Sequence, residues 1–456
     1  MHDRNQDVIA LTHVCQAWRK TFTSCPSAWT DLDCENADKT RVYLERSKSL
    51  PVDLRLERVE GLSPHDPFFQ VISHTIPRLR SLAIYGTPAN LQDIVSQLSR
   101  PAPLLRSLTI EVDCGCSPQR GPAITTTLFN GDLSLLRELR LKCVTTALPW
   151  RNMVNLTSFA LGYTLVGDFP IKHLLDFLKS APRLRKVRLH NAIPTSGAQN
   201  GRLVSLECLK RMDIIGGGPS SLLLDHLLIP VGAKLTTQVG SLGPLADGSL
   251  VDGHLPRSLD NLRNFSDSTI QLHLEEFRPR IRFSGPNGQV TMVPAPPRTN
   301  TTHHVLKSLF RFDPSKIERL TIVGGNLEDN HDGCTILGAF IAMNDLRTLI
   351  ISRCKNLSAS IRGVLDDNTA CPKLEELVLD PRVHGEKFDI QVVVEIAAVR
   401  ASRGRELKSV RIVSGNKTVQ SCALKLEQYV SHVECDLGVA AVCDNDDGSD
   451  YSDDED

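Results

Sequence analysis

The chain has 456 residues, of which 52 are Lys or Arg and 53 are Asp or Glu, so its formal net charge is −1. Its 41% hydrophobic and 23% charged residues are those of a folded protein that faces water, which excludes a wholly disordered chain. The most apolar stretch, SLLLDHLLIPVGA, is interrupted by Asp225 and His226 and is too short to span a bilayer, so we expect no membrane partner.

The cysteines and the N-terminus predict a reducing compartment. The chain has 13 Cys, an odd number without a C-x-x-C pair, which is typical of reduced thiols rather than of a disulfide framework. The first ten residues, MHDRNQDVIA, lack the apolar run of a secretory signal. We therefore expect the protein in the cytoplasm or the nucleus.

Residues 1–48 are predicted to form a short helical segment. In VIALTHVCQAWRKTF the apolar residues recur at helical spacing, which predicts one amphipathic helix that ends before Cys25-Pro26. ADKTRVYLERSKS predicts a second helix with Val42 and Leu44 buried and Tyr43 as a further candidate. LPVDLRLE, which follows at 50–57, alternates at period two and is predicted to be the first strand of a sheet.

A pattern of the form L-x-x-L-x-L, with other apolar residues allowed, recurs along the rest of the chain. Its occurrences are PRLRSLAI (77–84), PLLRSLTI (103–110), SLLRELRL (134–141), VNLTSFAL (154–161), PRLRKVRL (182–189), ECLKRMDI (207–214), SKIERLTI (315–322), NDLRTLII (344–351), PKLEELVL (372–379) and RELKSVRI (405–412). Apart from one long gap, successive occurrences lie 20 to 33 residues apart, which is the spacing of leucine-rich repeats.

Each L-x-L step predicts a β-strand, because side chains two residues apart lie on the same face of a strand. Helices are predicted between the strands, at 88–100, 169–181, 390–403 and 418–433. The predicted fold class is therefore α/β, a leucine-rich-repeat-like solenoid with a curved parallel sheet, preceded by the helical segment. Such a solenoid offers an extended binding surface rather than a closed catalytic pocket.

Five segments are predicted along the chain. They are the helical segment 1–48, a first repeat array 49–214, an irregular region 215–314, a second array 315–435 and an acidic tail 436–456. The irregular region contains three predicted strands, TIQLHLEEF, RIRFSG and QVTMVP, with a turn at Pro286-Asn287-Gly288. It is either a set of irregular repeats or an insertion.

The tail is strongly acidic, with eight carboxylates and no cation from Asp444 to Asp456. Because these eight charges exceed the net −1, the rest of the chain has a formal charge of +7. The composition predicts a disordered, solubilising end, and phosphorylation at Ser449 or Ser452 is the alternative.

The N-terminal sequence resembles a known protein family. The segments THVCQAWR, PSAWTDL and KTRVYLERSKSLPVDLRL are similar to the second half of an F-box, and closest to the F-box-like proteins with leucine-rich repeats of mushroom-forming fungi. The resemblance implies a substrate receptor of a Skp–cullin–F-box ubiquitin ligase. Its F-box would dock on a Skp-type adaptor, and its repeats would hold a target protein without making or breaking a bond.

The resemblance assigns roles to five residues near the N-terminus. Val14, Cys15, Trp18, Arg19 and Trp29 are expected in the F-box core or at the contact with the adaptor. A full F-box begins with a Leu-Pro segment and a first helix, and these have no counterpart here. The first alternative is therefore an interaction scaffold of the same fold that no longer docks the adaptor.

The exposed side of the predicted repeat strands is the candidate target site. Its candidate residues are Arg140, Lys142, Lys186, Arg188, His190 and Arg211, with the small residues Ser158, Ala160 and Gly162 between them. We expect a basic groove on the concave face that accepts an acidic or phosphorylated segment through charge-assisted hydrogen bonds. An ordinary solvated face is the alternative.

The sequence contains no recognisable catalytic or metal-binding motif. The glycine run at 216–218 lacks the remainder of a phosphate-binding loop. His303-His304 lacks a second pair of ligands at metal spacing. The acidity of the tail and the absence of a basic–aromatic cluster argue against nucleic acid. We expect a protein that is not an enzyme and has no cofactor, with an enzyme in the 215–316 region as the remaining alternative.

Overall fold

The computed structural model is α/β. It describes residues 4–33, 37–57, 72–113, 123–124, 128–146, 153–163, 171–192, 203–216, 220–238, 254–263, 268–274, 280–285, 288–293, 313–325, 333–365, 369–381, 388–413 and 424–436. The acidic tail lies outside the described residues from position 437 onward.

The chain divides into two compact units. The first comprises Met1–Leu242 and Gly253–Asn264, and the second comprises Gly243–Asp252 and Phe265–Asp456. Both units contain a sheet and helices.

The helices lie between strands and at the N-terminus. Their bounds are Arg4–Val14 (α1), Gln16–Thr23 (α2), Ala37–Arg46 (α3), Pro88–Gln97 (α4), Ile171–Ser180 (α5), Ser221–Leu224 (α6), Gly333–Ala342 (α7), Leu357–Leu365 (α8) and Gln391–Ser402 (α9). Short 3-10 turns occur at Pro26–Trp29, Ile76–Arg78, Leu128–Gly131, Leu259–Asn261 and Pro314–Lys316. None of the helices that the structure describes combines the length and the apolar character needed to cross a membrane.

The sheet of the first unit is parallel, and its strands follow one another in chain order. They are Asp31–Asp33 (β1), Val52–Leu56 (β2), Leu79–Gly86 (β3), Ser107–Val112 (β4), Glu138–Lys142 (β5), Ser158–Gly162 (β6), Lys186–His190 (β7), Arg211–Ile215 (β8) and Lys234–Gln238 (β9). Each strand pairs in parallel with the next one. Two small parallel pairs, Ala123–Ile124 with Thr145–Thr146 and Val204–Ser205 with Leu227–Leu228, lie outside this sheet.

The sheet of the second unit is mixed. Its strands are Thr269–His273 (β10), Arg280–Gly285 (β11), Gly288–Val293 (β12), Arg319–Val323 (β13), Thr348–Ser352 (β14), Glu376–Asp380 (β15), Ser409–Val413 (β16) and His432–Asp436 (β17). β10 and β13 to β17 pair in parallel in chain order. β11 and β12 form an antiparallel hairpin beside β10, so the three strands predicted in the irregular region are confirmed.

All ten strands predicted from the L-x-x-L-x-L pattern are present, and nine of them are preceded by the same turn. The first apolar residue of the L-x-x-L-x-L pattern donates its backbone N–H to the carbonyl of a residue three positions earlier, as in Leu105 to Ala102 (3.1 Å) and Leu136 to Leu133 (3.0 Å). The second unit repeats this bond from Leu374 to Cys371 (3.1 Å). The recurring apolar residues are therefore also positions of one recurring backbone conformation.

Strands β5 to β8, β13 and β14 also end in the same way. The residue after the strand has a positive φ angle in Cys143, Tyr163, Asn191, Gly216, Gly324 and Arg353. Its N–H donates to the carbonyl that ends the next strand, as in Tyr163 to His190 (2.6 Å) and Arg353 to Asp380 (2.8 Å). This left-handed conformation is costly for residues other than glycine and asparagine, so the bond to the next repeat must offset that cost.

The cores of the units differ in how they cover the sheet. In the first unit burial alternates along β4 and β7, with Leu108 and Ile110 buried on one face. In the second unit β13 to β15 are buried on both faces for most of their length. Burial alternates along β10 to β12 of the second unit as well, so the difference between the units lies in β13 to β15.

Several predictions about elements were wrong. The first helix is interrupted at Cys15, whose backbone is extended (φ −159°). Val42 is exposed whereas Tyr43 is buried, because the apolar stripe of α3 is one residue out of phase with the prediction. β1 precedes 50–57 in the sheet, and the helix predicted at 418–433 gives way to strand β17 at His432.

The thiols were also not all as expected. Cys143 is disulfide-bonded, which corrects the expectation of uniformly reduced cysteines. The free cysteines among the described residues are Cys15, Cys25, Cys208, Cys354, Cys371 and Cys435.

Candidate functional site

The open face of strands β5 to β8 brings the predicted target-binding residues together. Arg140 of β5 lies in register with Ala160 of β6, Arg188 of β7 and Asp213 of β8. The row on one side contains Lys186 and Arg211, and the row on the other contains Lys142 and His190. All six candidate residues therefore share one face of one sheet.

Small residues lie at the centre of this surface. Ser158, Ala160 and Gly162 occupy the three positions of β6 between the cations of β5 and β7. A side chain at Gly162 would meet Cγ of Lys142 at 3.7 Å and Cβ of His190 at 3.8 Å. The side chains of β5 and β7 thus border a shallow strip, as the sequence predicts.

Carboxylates compensate part of the positive charge, which the sequence analysis did not anticipate. Nη1 of Arg140 lies 3.7 Å from Glu111 of β4. The carboxylate of Asp213, whose side chain is only 6% exposed, lies 2.9 Å from Nε of Arg211 and 3.5 Å from Nε of Arg188. A buried carboxylate needs such partners, so these two arginines also have a structural role.

His190 adds little positive charge at neutral pH. Its Nε2 lies 3.1 Å from the hydroxyl of Tyr163, and the two rings are 4.5 Å apart. Burial, and secondarily the charge of Lys142, lowers the pKa of His190. A histidine with a lowered pKa is mostly neutral above its ordinary range, so this residue is a hydrogen-bonding group on the face.

The F-box-like residues do not share one environment. Trp29 is 1% exposed, and its ring packs edge-on against Tyr43 at 4.9 Å with the guanidinium of Arg46 4.2 Å above it. Its Nε1 donates to the carbonyl of Phe22 (2.8 Å). Trp29 is therefore a core residue of this N-terminal segment.

The other four F-box-like residues lie at the surface. Val14 is 61% and Trp18 45% exposed, and Cys15 and Arg19 are exposed as well. Nε of Arg19 donates to the carbonyl of Thr12 (3.0 Å), which ties α2 to the end of α1. These four are not core residues, and α2 has no buried residue.

A row of residues that the sequence analysis overlooked lies at the edge of the open face. Its members directly precede the first register position of each repeat strand. We call these residues the corner row: Arg80, Arg106, Arg137, Thr157, Arg185 and Lys210. The sequence contains a signal for this row, because a cation directly follows the leucine that opens the L-x-x-L-x-L pattern in PRLRSLAI, PLLRSLTI, SLLRELRL, PRLRKVRL and ECLKRMDI.

The residues that the structure describes contain no group of three or more His, Cys, Asp or Glu side chains that could hold a metal ion. Burial raises the pKa of the Cys354 and Cys371 thiols to about 12. These two thiols are therefore poor nucleophiles at neutral pH.

Comparison with known proteins gives no family assignment. No protein-family model matches the chain, and no curated protein matches it. The geometry of the two surfaces therefore carries the functional argument.

Proposed function

We propose that this protein is the substrate-recognition subunit of a Skp–cullin–F-box ubiquitin ligase. In this proposal α1 to α3 form an F-box-like segment that docks a Skp-type adaptor. The repeats form a leucine-rich-repeat solenoid with a curved sheet whose concave face holds a target protein. The protein itself would catalyse no reaction and would act by bringing the target close to the ubiquitin-loaded partner.

Two recurring backbone features support the solenoid. The turn before nine of the ten pattern strands and the left-handed residue after six of them are made by equivalent residues in both units. A structure built from one repeated supersecondary unit stacks each unit on its neighbour. Strands β2 to β9, which pair in parallel in chain order, follow that scheme.

The observation that carries the adaptor proposal is the exposure of α2. This helix has no buried residue, yet it exposes Trp18, and Val14 just precedes it. A large aromatic side chain on an exposed helix is costly to leave in water and is common at the centre of protein interfaces. The surface therefore has the composition of a docking site.

Co-expression of the chain with the Skp-type adaptor of a mushroom-forming fungus tests this proposal. We expect a stable one-to-one complex on size-exclusion chromatography. Val14→Asp and Trp18→Ala should each weaken it at least tenfold, because truncation of an interface anchor costs about 2 kcal/mol or more.

Val231→Asp is the matched control, since Val231 is 60% exposed at a distant position of the first unit. It should leave the complex intact. Failure of the unmodified chain to bind the adaptor, with its thermal transition retained, would overturn the receptor proposal. An interaction scaffold that does not dock the adaptor would then be the better description.

A further inference from the structure

The corner row is a continuous structural feature of the first unit. The N–H of Arg137 donates to the carbonyl of Arg106 (2.7 Å), and that of Lys210 donates to the carbonyl of Arg185 (2.8 Å). Between them, the N–H of Thr157 donates to the carbonyl of Arg137, and the carbonyl of Thr157 accepts from the N–H of Arg185, both over 2.8 Å. Successive members thus lie one strand apart, and Arg106 and Lys210 are separated by roughly 19 Å, or four strand spacings.

Four of the five cations of this row have no carboxylate partner among the residues that the structure describes. Arg80 pairs with Asp53. The other four, Arg106, Arg137, Arg185 and Lys210, are exposed and make no ion pair with any residue that the structure describes. They differ in this from Arg140 and Arg188 on the open face, which lie against carboxylates.

The second unit shows that this backbone position does not require a cation. Its equivalent residues, joined by the same bonds, are Glu318, Arg347, Glu375 and Lys408. Glu375 lies 2.9 Å from Nζ of Lys408 and 3.8 Å from Nη1 of Arg347. Glu375 is thus paired with the cations on both sides of it, so the shared backbone does not require the run of cations that only Thr157 interrupts in the first unit.

Exposed aliphatic side chains border the corner row. Leu104 is 39%, Leu135 44% and Val154 50% exposed, and they lie in the turns that lead into β4, β5 and β6. None of these residues is aromatic. The surface therefore lacks the stacking platforms of single-stranded nucleic-acid sites but has the mixed character of a peptide-binding ridge.

We propose that the corner row and its aliphatic border bind an acidic polypeptide segment in which carboxylates alternate with apolar side chains. The cations supply charge-assisted hydrogen bonds and steer the encounter, and the aliphatic residues bury the apolar side chains. An extended segment of about six residues spans the row. The inference deepens the proposed function by naming the chemistry of the target segment, and it uses an edge of the sheet rather than its face.

Fluorescence anisotropy with the full chain and a labelled synthetic peptide tests the inference. In the peptide, pairs of Glu alternate with single Leu residues, and in the control peptide Gln replaces Glu. The Arg137→Glu, Arg185→Glu double variant should weaken binding by roughly tenfold or more, since two attractive contacts become repulsive. Leu104→Ser with Leu135→Ser should weaken it without changing its dependence on salt.

The matched control is Lys172→Glu with Lys179→Glu on α5. Both lysines are exposed, and the double variant changes the net charge by the same amount, so it should bind within about twofold of the unmodified chain if charge acts locally. Equal weakening by the two double variants would overturn the inference. So would equal binding of the Gln peptide, or displacement of the peptide by single-stranded oligonucleotide at equal concentration. Because none of these residues lies on α1 to α3, adaptor docking can succeed while this inference fails, and the reverse also holds.

Discussion

At the scale of single residues, His254 is a neutral histidine enclosed in the first unit. It is 1% exposed, its Nδ1 lies 3.1 Å from the hydroxyl of Thr237, and its Nε2 is buried without a hydrogen-bond partner among the described residues. Burial lowers the pKa of His254 to about 4, while a hydrogen bond with the backbone of Thr237 acts in the opposite direction. The charged form is thus strongly disfavoured in the folded state.

Folding stability should therefore fall as the pH decreases. The unfolded chain binds a proton at His254 near pH 6.5, whereas the folded chain does so only near pH 4. The contribution of neutral His254 to the free energy of unfolding is fully present above pH 6.5 and is lost as the pH falls from 6.5 to 4. The whole loss is about 3 kcal/mol.

Urea denaturation at pH 7 and pH 4.5 measures this effect. His254→Gln can keep the hydrogen bond to Thr237 and should reduce the loss of stability between the two pH values. The exposed His74 provides the control, because His74→Gln should leave the loss unchanged. An unaltered pH dependence in His254→Gln would show that other groups cause the acid sensitivity.

Gly216 illustrates a different constraint at the same scale. It follows β8 with a φ of +68°, and a Cβ there would lie 2.0 Å from Oδ1 of Asn191. Gly232 also has a positive φ (+85°), but a Cβ there would meet nothing within 4 Å.

The two glycines make a matched pair of substitutions. Gly232→Ala should cost about 1 kcal/mol because alanine disfavours the left-handed conformation. Gly216→Ala should cost that amount and about 1–3 kcal/mol more, because the neighbouring asparagine must be displaced. Chemical denaturation compares the two variants, and equal costs would mean that Asn191 moves aside freely.

At the scale of elements, α9 is joined to the preceding repeat by a buried cation. Nη2 of Arg400 donates to the carbonyl of Cys371 (2.9 Å) and Nη1 donates to that of Ala370 (3.4 Å). Burial lowers the pKa of Arg400, but an arginine remains charged at neutral pH. The guanidinium thus donates to two carbonyls of this turn, of which that of Cys371 also accepts from the N–H of Leu374.

Replacing this cation should destabilise the second unit. Arg400→Met keeps most of the aliphatic stem but removes the hydrogen bonds to Ala370 and Cys371, of which only Cys371 keeps a backbone donor, and this should cost about 1–3 kcal/mol. The exposed Arg403 is the control, and Arg403→Met should change the free energy of unfolding by less than about 0.5 kcal/mol. Similar unfolding midpoints for the two variants would argue against a structural role for Arg400.

The interruption between α1 and α2 shows why a helical pattern can mislead at this scale. The apolar spacing of VIALTHVCQAWRKTF continues across Cys15, and no glycine or proline marks a break. The interruption leaves the carbonyl of Thr12 available, and the side chain of Arg19 donates a hydrogen bond to it. Periodicity records which face is apolar, whereas the break depends on a side-chain contact seven residues away.

At the scale of the whole molecule, a stack of repeats predicts that a defect in one unit stays local. Leu139 of β5 is buried between Leu108 and Phe159 of the adjacent strands. Leu139→Ala should cost about 2–5 kcal/mol in the first unit. In a stack of repeats each unit interacts mainly with its neighbours, so the second unit should be little affected.

Hydrogen exchange followed by mass spectrometry tests this locality. In Leu139→Ala, amides of β4 to β6 should exchange faster while those of β14 to β16 keep their protection. Leu349→Ala, a substitution of a fully buried residue of β14, should give the reverse pattern. A uniform loss of protection in either variant would indicate one cooperative unit instead.

The sequence by itself determined the α/β class, the position of all ten pattern-derived strands and the residues that alternate on the open face. It could do so because strand periodicity is local, and a buried leucine every second residue leaves little freedom of register. The helices at 88–100, 169–181 and 390–403 were predictable for the same reason, since their apolar stripes are continuous. The exposure of Trp18 and the burial of Trp29 were not predictable, because the local sequence does not show which other elements pack on each tryptophan.

Only the tertiary structure decided how charge is distributed over the repeats. Asp213 and Glu111 neutralise arginines of the open face, whereas the corner row keeps its cations exposed. In the sequence both sets are basic residues at similar spacing, so the sequence does not distinguish the neutralised cations from the exposed ones. For Arg140 and Arg188 the neutralising carboxylate comes from a neighbouring repeat, some 20 to 30 residues away in the chain. Coulomb interactions depend on that distance in space, which strand register determines and local sequence does not.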